Sequence, residues 1–269
     1  MRAFLIRAAV AAVAIPALLA VFYQGGWWLR GLVAILTALG CLEARQLAGQ
    51  VGAAFNYPLA AVCTLLSPWV AFPQAAGDAW ILWLVLVIVA AAAPAVWKQS
   101  PKAAGAGAAA QIVTVIWVGI GLGALVALRG LGSVTGYRWL LFLFANLWIG
   151  DTAAYLFGVW LGKTKLSPAI SPNKTVVGAV TQVLTSLLLG LVFVAGRWID
   201  APALLLLLAS LAIAVIGQIG DLAESILKRI AGQKDSGTIL PGHGGILDRF
   251  DSTLLAAPTL WAMIRLWSP

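Results

Sequence analysis

The sequence predicts an all-α fold: a polytopic integral membrane protein of about nine transmembrane helices, N-terminus inside and C-terminus outside. Three observations carry that expectation. The 269 residues are 62% hydrophobic and only 10% charged, where soluble domains carry about 25% charged residues. Breaks at glycine, proline and charge clusters divide the chain into apolar runs of the length that spans a bilayer, about 20 residues. With the N-terminus inside and nine spans, twelve of the seventeen lysines and arginines fall on the cytoplasmic side. These are Arg2, Arg7, Arg45, Lys98, Lys102, Lys163, Lys165, Lys174, Lys228, Arg229, Lys234 and Arg249; Arg30, Arg129, Arg138, Arg197 and Arg265 fall outside. Such a bias supports count and orientation together.

The first run, 4–22, follows Arg2 and Arg7 as a signal peptide would. No small-x-small cleavage site precedes the break at Gln24-Gly25-Gly26, so a retained helix is expected. The next runs are 28–47 and 57–73, the latter the weakest because Pro58, Pro68 and Pro73 interrupt it. Run 79–97 ends before Lys102–Gly107, whose small residues read as a flexible connection. Runs 108–128, 137–158, 175–196, 202–228 and 247–267 complete the series. No internal repeat is evident. Trp27, Trp28, Trp80, Trp97, Trp139, Trp160, Trp198 and Trp267 lie near run ends, as an interfacial belt would. Cys41 and Cys63 sit in apolar stretches and read as buried thiols. The net charge of +8 does not argue for nucleic acid, because no soluble domain carries a basic patch.

Nine acids remain to be placed. Asp78 and Asp200 flank runs on the outer side. Asp151 lies about two turns from the inner end of the sixth run, Asp221 and Glu224 in the last turns of the eighth, and Asp248 and Asp251 in the first turn of the ninth. Three helices thus bring carboxylates to a similar depth near one face. An acid inside a bilayer costs roughly 3 kcal/mol on insertion scales, so it faces a cavity or a partner. Two readings stand. The acids form ion pairs, Asp221 with Lys228 or Arg249 and Asp251 with Arg249. Alternatively they hold a cation, and hard oxygens without clustered His or Cys suit Mg²⁺ rather than zinc.

The loop "KRIAGQKDSGTILPGHGGILDRFDS" concentrates Lys228, Arg229, Lys234 and Arg249 with Gly237, Gly242, Gly244 and Gly245. Glycines allow close backbone approach, and a helix starting near Gly245 is expected to offer free N–H groups to an anion. With a carboxylate-held metal this makes a phosphate site; the plainer reading is a positive-inside loop with a glycine turn. His243, the single histidine, suits phosphate contact or proton transfer, or a structural place. In the second loop, "GVWLGKT" has three residues between its glycines where a P-loop needs four, and no strand precedes it. Lys163, Lys165 and Lys174 are left as phosphate contacts or topology determinants, and Ser171-Pro172 reads as an ordered turn.

The string "SILKRIAGQKDSGTILPGHGGILDRFDS", 225–252, resembles the signature of the CDP-diacylglycerol synthase (phosphatidate cytidylyltransferase) family. Asp151-Thr152, Ala154-Tyr155, Gly162-Lys163, "SPNKT" (171–175) and "GDLAES" (220–225) add to the resemblance. Two positions depart from it. Val177 stands where the family usually has Glu, and Thr181-Gln182 where a glycine pair is expected. The resemblance implies an enzyme joining CTP and phosphatidic acid into CDP-diacylglycerol and pyrophosphate. It implies Mg²⁺, and room for a second cation, on Asp221, Asp248 and Asp251. Lys228, Arg249 and His243 would join these acids in catalysis. Asp151, Lys163, Ser171, Asn173, Lys174, Thr175, Ser225, Arg229, Lys234, Asp235, Gly244 and Gly245 would bind substrate. Residues 1–136 would then be scaffold with dimer contacts, and 137–269 the catalytic region. A bacterial-type inner membrane, a cytoplasm-facing site and a homodimer are further implications. Rivals are a prenyl-lipid cytidylyltransferase, a lipid kinase and, from another class, an ion-coupled transporter, which would need inverted repeats.

Overall fold

The computed structural model describes residues 2–70, 79–96, 100–239 and 244–267. Pro73, Asp78, Trp97, Lys98, Gly242 and His243 lie outside the described residues. The described chain is helical apart from one small hairpin. Its elements run α1 (Arg2–Gln24), α2 (Gly26–Gln50), α3 (Tyr57–Val70), α4 (Ala79–Val96), α5 (Pro101–Thr114), a π-helical turn Val115–Ile120, α6 (Gly121–Arg129) and α7 (Ser133–Leu161). Then follow β1 (Lys165–Ser167), β2 (Ser171–Thr175), α8 (Val176–Ala195), α9 (Ala203–Ile230) and α10 (Leu247–Trp267). Five stretches are long and apolar enough to cross a membrane: Gly26–Gln50, Pro101–Arg129, Ser133–Leu161, Val176–Ala195 and Ala203–Ile230. The 14 residues of α3 rise only about 21 Å at 1.5 Å each, short of a hydrocarbon core of about 30 Å.

Two compact units divide the chain, and the chain passes between them inside α6, α9 and α10. Unit 1 holds residues 1–127 and 227–250; unit 2 holds 128–226 and 251–269. The described part of the signature region up to Phe250 therefore belongs to the same unit as the N-terminal helices.

In unit 1, a core of Ala60, Cys63, Trp83, Val87, Ala90 and Val115 joins α3, α4 and the π-helical turn. The Trp83 indole N–H donates to the Cys63 carbonyl at 2.9 Å. Gly119 lets the π-helical turn approach α3, since a Cβ there would collide with Ser67. Both thiols are free and buried, as the apolar surroundings imply, and Cys41 Sγ lies 3.3 Å from Thr64 Oγ1. The segment expected to be a flexible connection, Lys102–Gly107, is instead the first two turns of α5. Ser100 caps it, its hydroxyl accepting from the Ala103 N–H, and Pro101 occupies the first turn, where its missing N–H costs nothing. Gly107 supplies room rather than flexibility: a Cβ there would strike the Ala54 backbone, and Ala54 N donates to the Ala103 carbonyl at 3.2 Å.

In unit 2, α7 and α8 pack closely through small residues. A Cβ on Gly178 would lie 2.8 Å from the Ala154 carbonyl. Trp139, expected in an interfacial belt, is buried and meets Phe142 edge-on, ring centres 5.6 Å apart. It lies nearly two turns inside α7, where it faces neighbours rather than the chain end. Trp27, Trp28, Trp160 and Trp198 are exposed. The ordered turn at Ser171-Pro172 is an antiparallel hairpin pairing Lys165 with Thr175 and Ser167 with Ser171. Thr175 ends it and caps α8, its Oγ1 accepting from Gly178 N at 3.1 Å. Gly158 and Gly162 of the P-loop-like string pack against that threonine, and a helix precedes them, so a Walker phosphate cradle is absent here.

Candidate active site

Unit 1 contributes the signature loop. Helix α9 ends at Ile230, and Gly232 just beyond it has a φ of +67°, which suits glycine. Gln233 N donates to the Lys228 carbonyl (2.8 Å) and Gly232 N to the Arg229 carbonyl (3.0 Å), closing the helix in a Schellman turn. Arg229 Nη1 adds a bond to the Gln233 carbonyl at 3.0 Å. The turn sends the chain back past α10, where Asp248 gathers it. One oxygen of Asp248 pairs with Lys228 Nζ at 2.5 Å. The other accepts from Ser236 N (2.8 Å) and Gly245 N (2.8 Å), and Ser236 Oγ lies 3.0 Å from it. Gly244 is required twice over: its φ is +78°, and a Cβ would come within 2.5 Å of Asp248 Oδ2. Lys234 and Asp235 are exposed on the loop and Arg249 on the first turn of α10.

The amides at the start of α10 were expected to be open to a phosphate. They are not: Ile246 N and Leu247 N donate to the two oxygens of Glu43 at 2.7 and 2.9 Å. A protein carboxylate fills the place expected for an anionic ligand, because the partial positive charge of a helix start attracts any anion.

Unit 2 contributes a second set. Lys174, on β2, pairs with Asp221 of α9 at 2.5 Å. Asp151 of α7 lies near enough to both for their charges to act on it, and it accepts from Gln182 Nε2 of α8 at 2.5 Å. Ser225 Oγ lies 3.5 Å from Asp221 Oδ1. Beside Asp221, Gly220 lets α10 approach: a Cβ there would stand 2.7 Å from the Asp251 carbonyl. Lys163 and Asn173 are exposed, Ser171 is half-buried and Thr175 is buried in its capping role.

The structure therefore groups Asp151, Lys174, Asp221, Ser225 and Asp251 in one unit, and Lys228, Asp248, Gly244 and Gly245 in the other. Lys174 pairs with Asp221 and Lys228 with Asp248, partners other than those weighed for Asp221 and Lys228 on spacing alone. Among the described residues no three of His, Cys, Asp and Glu stand as a ready metal cage. The donor chemistry still fits a hard cation in unit 2, where Asp151 and Asp221 share Lys174 as a neighbouring base. Two carboxylates beside one lysine leave negative charge for a divalent ion. Three residues escaped the sequence reading: Glu43, Ser236 and Gln182. Gln182 had a signal, being polar where the resemblance called for glycine. Glu43 had one too, as a lone acid inside the second apolar run.

The profile of the cytidylyltransferase family matches residues 5–267. A protein of Staphylococcus epidermidis named phosphatidate cytidylyltransferase is 50% identical over 125 residues, 46% of this chain and 48% of its own. Its Bacillus subtilis namesake is 47% identical over 133 residues, 49% of each chain. The Staphylococcus aureus protein of that name is 47% identical over 125 residues, 46% of this chain and 48% of its own. The chain thus spans about half the length of these curated relatives. With a family match running almost end to end over the helices and loops described above, the chain belongs to the cytidylyltransferase family.

Proposed function

We propose that the chain is a membrane-embedded phosphatidate cytidylyltransferase, converting CTP and phosphatidic acid to CDP-diacylglycerol and pyrophosphate. The observation that carries this reading is the pairing of acids with lysines at the two signature segments, Lys174 with Asp221 and Lys228 with Asp248. A site that must bring two polyanions together needs exchangeable positive charge. Lysines already held near carboxylates supply it when the triphosphate arrives. An oxygen of the lipid phosphate attacks the α-phosphorus of CTP, a new P–O bond forms, and the bond to the β-phosphate oxygen breaks as pyrophosphate leaves. The nucleophile is already an anion, so no strong general base is required. Mg²⁺ held by Asp221 and Asp251 of unit 2 would add charge neutralisation for the triphosphate and the leaving group, and a cation on Asp248 of unit 1 would supply the same chemistry there. Lys163 and Lys234 on the loops, with Arg229 and Arg249 exposed at the ends of α9 and α10, would guide the nucleotide in from water, and a site that takes CTP from the cytosol would face the cytoplasmic side of a bacterial inner membrane, with the N-terminus inside.

Purified protein in detergent, given CTP, Mg²⁺ and either phosphatidic acid or a prenyl phosphate, tests the reading. Pyrophosphate release with phosphatidic acid is expected. Turnover with the prenyl phosphate alone would reassign the lipid substrate, and nucleoside diphosphate release in place of pyrophosphate would make the chain a kinase.

A further inference from the structure

We infer that Glu43, outside the signature and on the second helix, is a positioning residue that holds Asp248 in place through Ser236. The inference rests on the reading above only where activity is measured. Glu43 lies on the buried stripe of α2 with Leu36, Gly40 and Leu47, at helical steps of three and four, and is fully buried. A carboxylate there is costly unless its oxygens are satisfied. Among the described residues its hydrogen-bond partners come from the signature region: Ile246 N at 2.7 Å, Leu247 N at 2.9 Å and Ser236 Oγ at 2.8 Å. Ser236 Oγ also lies 3.0 Å from Asp248 Oδ2, and Ser236 N donates to the same oxygen at 2.8 Å. One serine thus joins the two acids. The glycines of the loop make room for this carboxylate. A Cβ on Gly237 would come 2.9 Å from Glu43 Oε1, and one on Gly245 would collide with Glu43 and Ser236 together. Glu43 touches no group placed at the reacting phosphates. It fixes the loop from behind, so that Asp248 meets Lys228, or a cation, at one set distance.

Residues that orient a metal ligand typically change affinity or activity about 10–100-fold when lost. Glu43→Gln keeps the shape but turns an amide group toward a donor. Hydrogen exchange in metal-free protein is expected to speed up about 10-fold or more at Ser236 and Gly245–Leu247, while α7 and α8 stay unchanged. In turnover, half-saturating Mg²⁺ is expected to rise about 10-fold, with kcat at saturating Mg²⁺ falling far less. Ser236→Ala removes only the shared hydroxyl and should shift both readouts the same way by less. The double variant should fall short of the product of the two effects. If Glu43→Gln fails to fold, Ser236→Ala decides. Unchanged local exchange and unchanged Mg²⁺ dependence in folded variants would overturn the inference, as would exchange that rises uniformly over the whole chain. A wild-type protein that makes no CDP-lipid would sink the functional reading instead, leaving the exchange test of Glu43 standing.

Discussion

Replacing Lys228 with methionine isolates the ion pair at the head of α10. The pair is short, 2.5 Å, and its side chains are only 10% and 5% exposed. Methionine keeps most of the aliphatic stem and removes the charge. Two unit charges at this distance attract by roughly 7 kcal/mol at an effective dielectric of 20, and desolvation offsets much of that. Removing one partner of a buried pair costs about 3–5 kcal/mol, because the other charge is left uncompensated. Asp248 keeps the N–H donors of Ser236 and Gly245, with the Ser236 hydroxyl beside it, so the lower end applies, about 3 kcal/mol. The assay is an unfolding titration in mixed micelles, read by tryptophan fluorescence. Adding Asp248→Asn to Lys228→Met should recover much of the loss, since the orphaned charge disappears, while activity stays low. A Lys228→Met protein within about 0.5 kcal/mol of wild type would refute the reasoning, showing the pair to be as weak as an exposed surface one.

Asp221→Asn and Asp251→Asn should each lower turnover at least about 100-fold at ordinary Mg²⁺, given that even residues behind a metal ligand cost about 10–100-fold; Asp200→Asn, remote from both acid sets in sequence, should stay near wild type. Lys174→Ala should raise the KM for CTP about 10-fold and lower kcat less, and an unchanged CTP dependence would return Lys174 to a topology role. A single cysteine at Gln233 in a cysteine-free background should react with an impermeant maleimide from the cytoplasmic side only; labelling from outside would reverse the proposed orientation.

The helices were legible because twenty-residue apolar runs and proline or glycine breaks leave few alternatives. The run 137–158 became α7, extended by about a turn at each end, and 202–228 became α9 almost unchanged. Lys102–Gly107 was misread because glycine was taken for flexibility. In a close-packed helix pair glycine marks a near approach instead, as Gly107 does against Ala54. The hairpin at 165–175 could not be foreseen, since its strands are short and its pairing is set by tertiary position. At the site, charge concentration pointed to the signature loop, yet partners across the sequence stayed hidden. Nothing local ties Glu43 to Leu247, 204 residues away. Its one clue was an acid where an apolar helix has no water to solvate it. The free amides expected at the start of α10 failed for the same reason: a helix start attracts an anion, and sequence does not say whether that anion is a ligand or the protein's own side chain.

The most direct measurement follows the label. CTP carrying radioactive phosphorus at the α position, and separately at the γ position, is incubated with the purified protein, phosphatidic acid and Mg²⁺, and the lipid phase is extracted. The proposed chemistry moves the α label into a chloroform-soluble product that co-migrates with CDP-diacylglycerol and leaves the γ label in water as pyrophosphate. Lipid labelled from the γ position, or no lipid labelled from the α position, would contradict it.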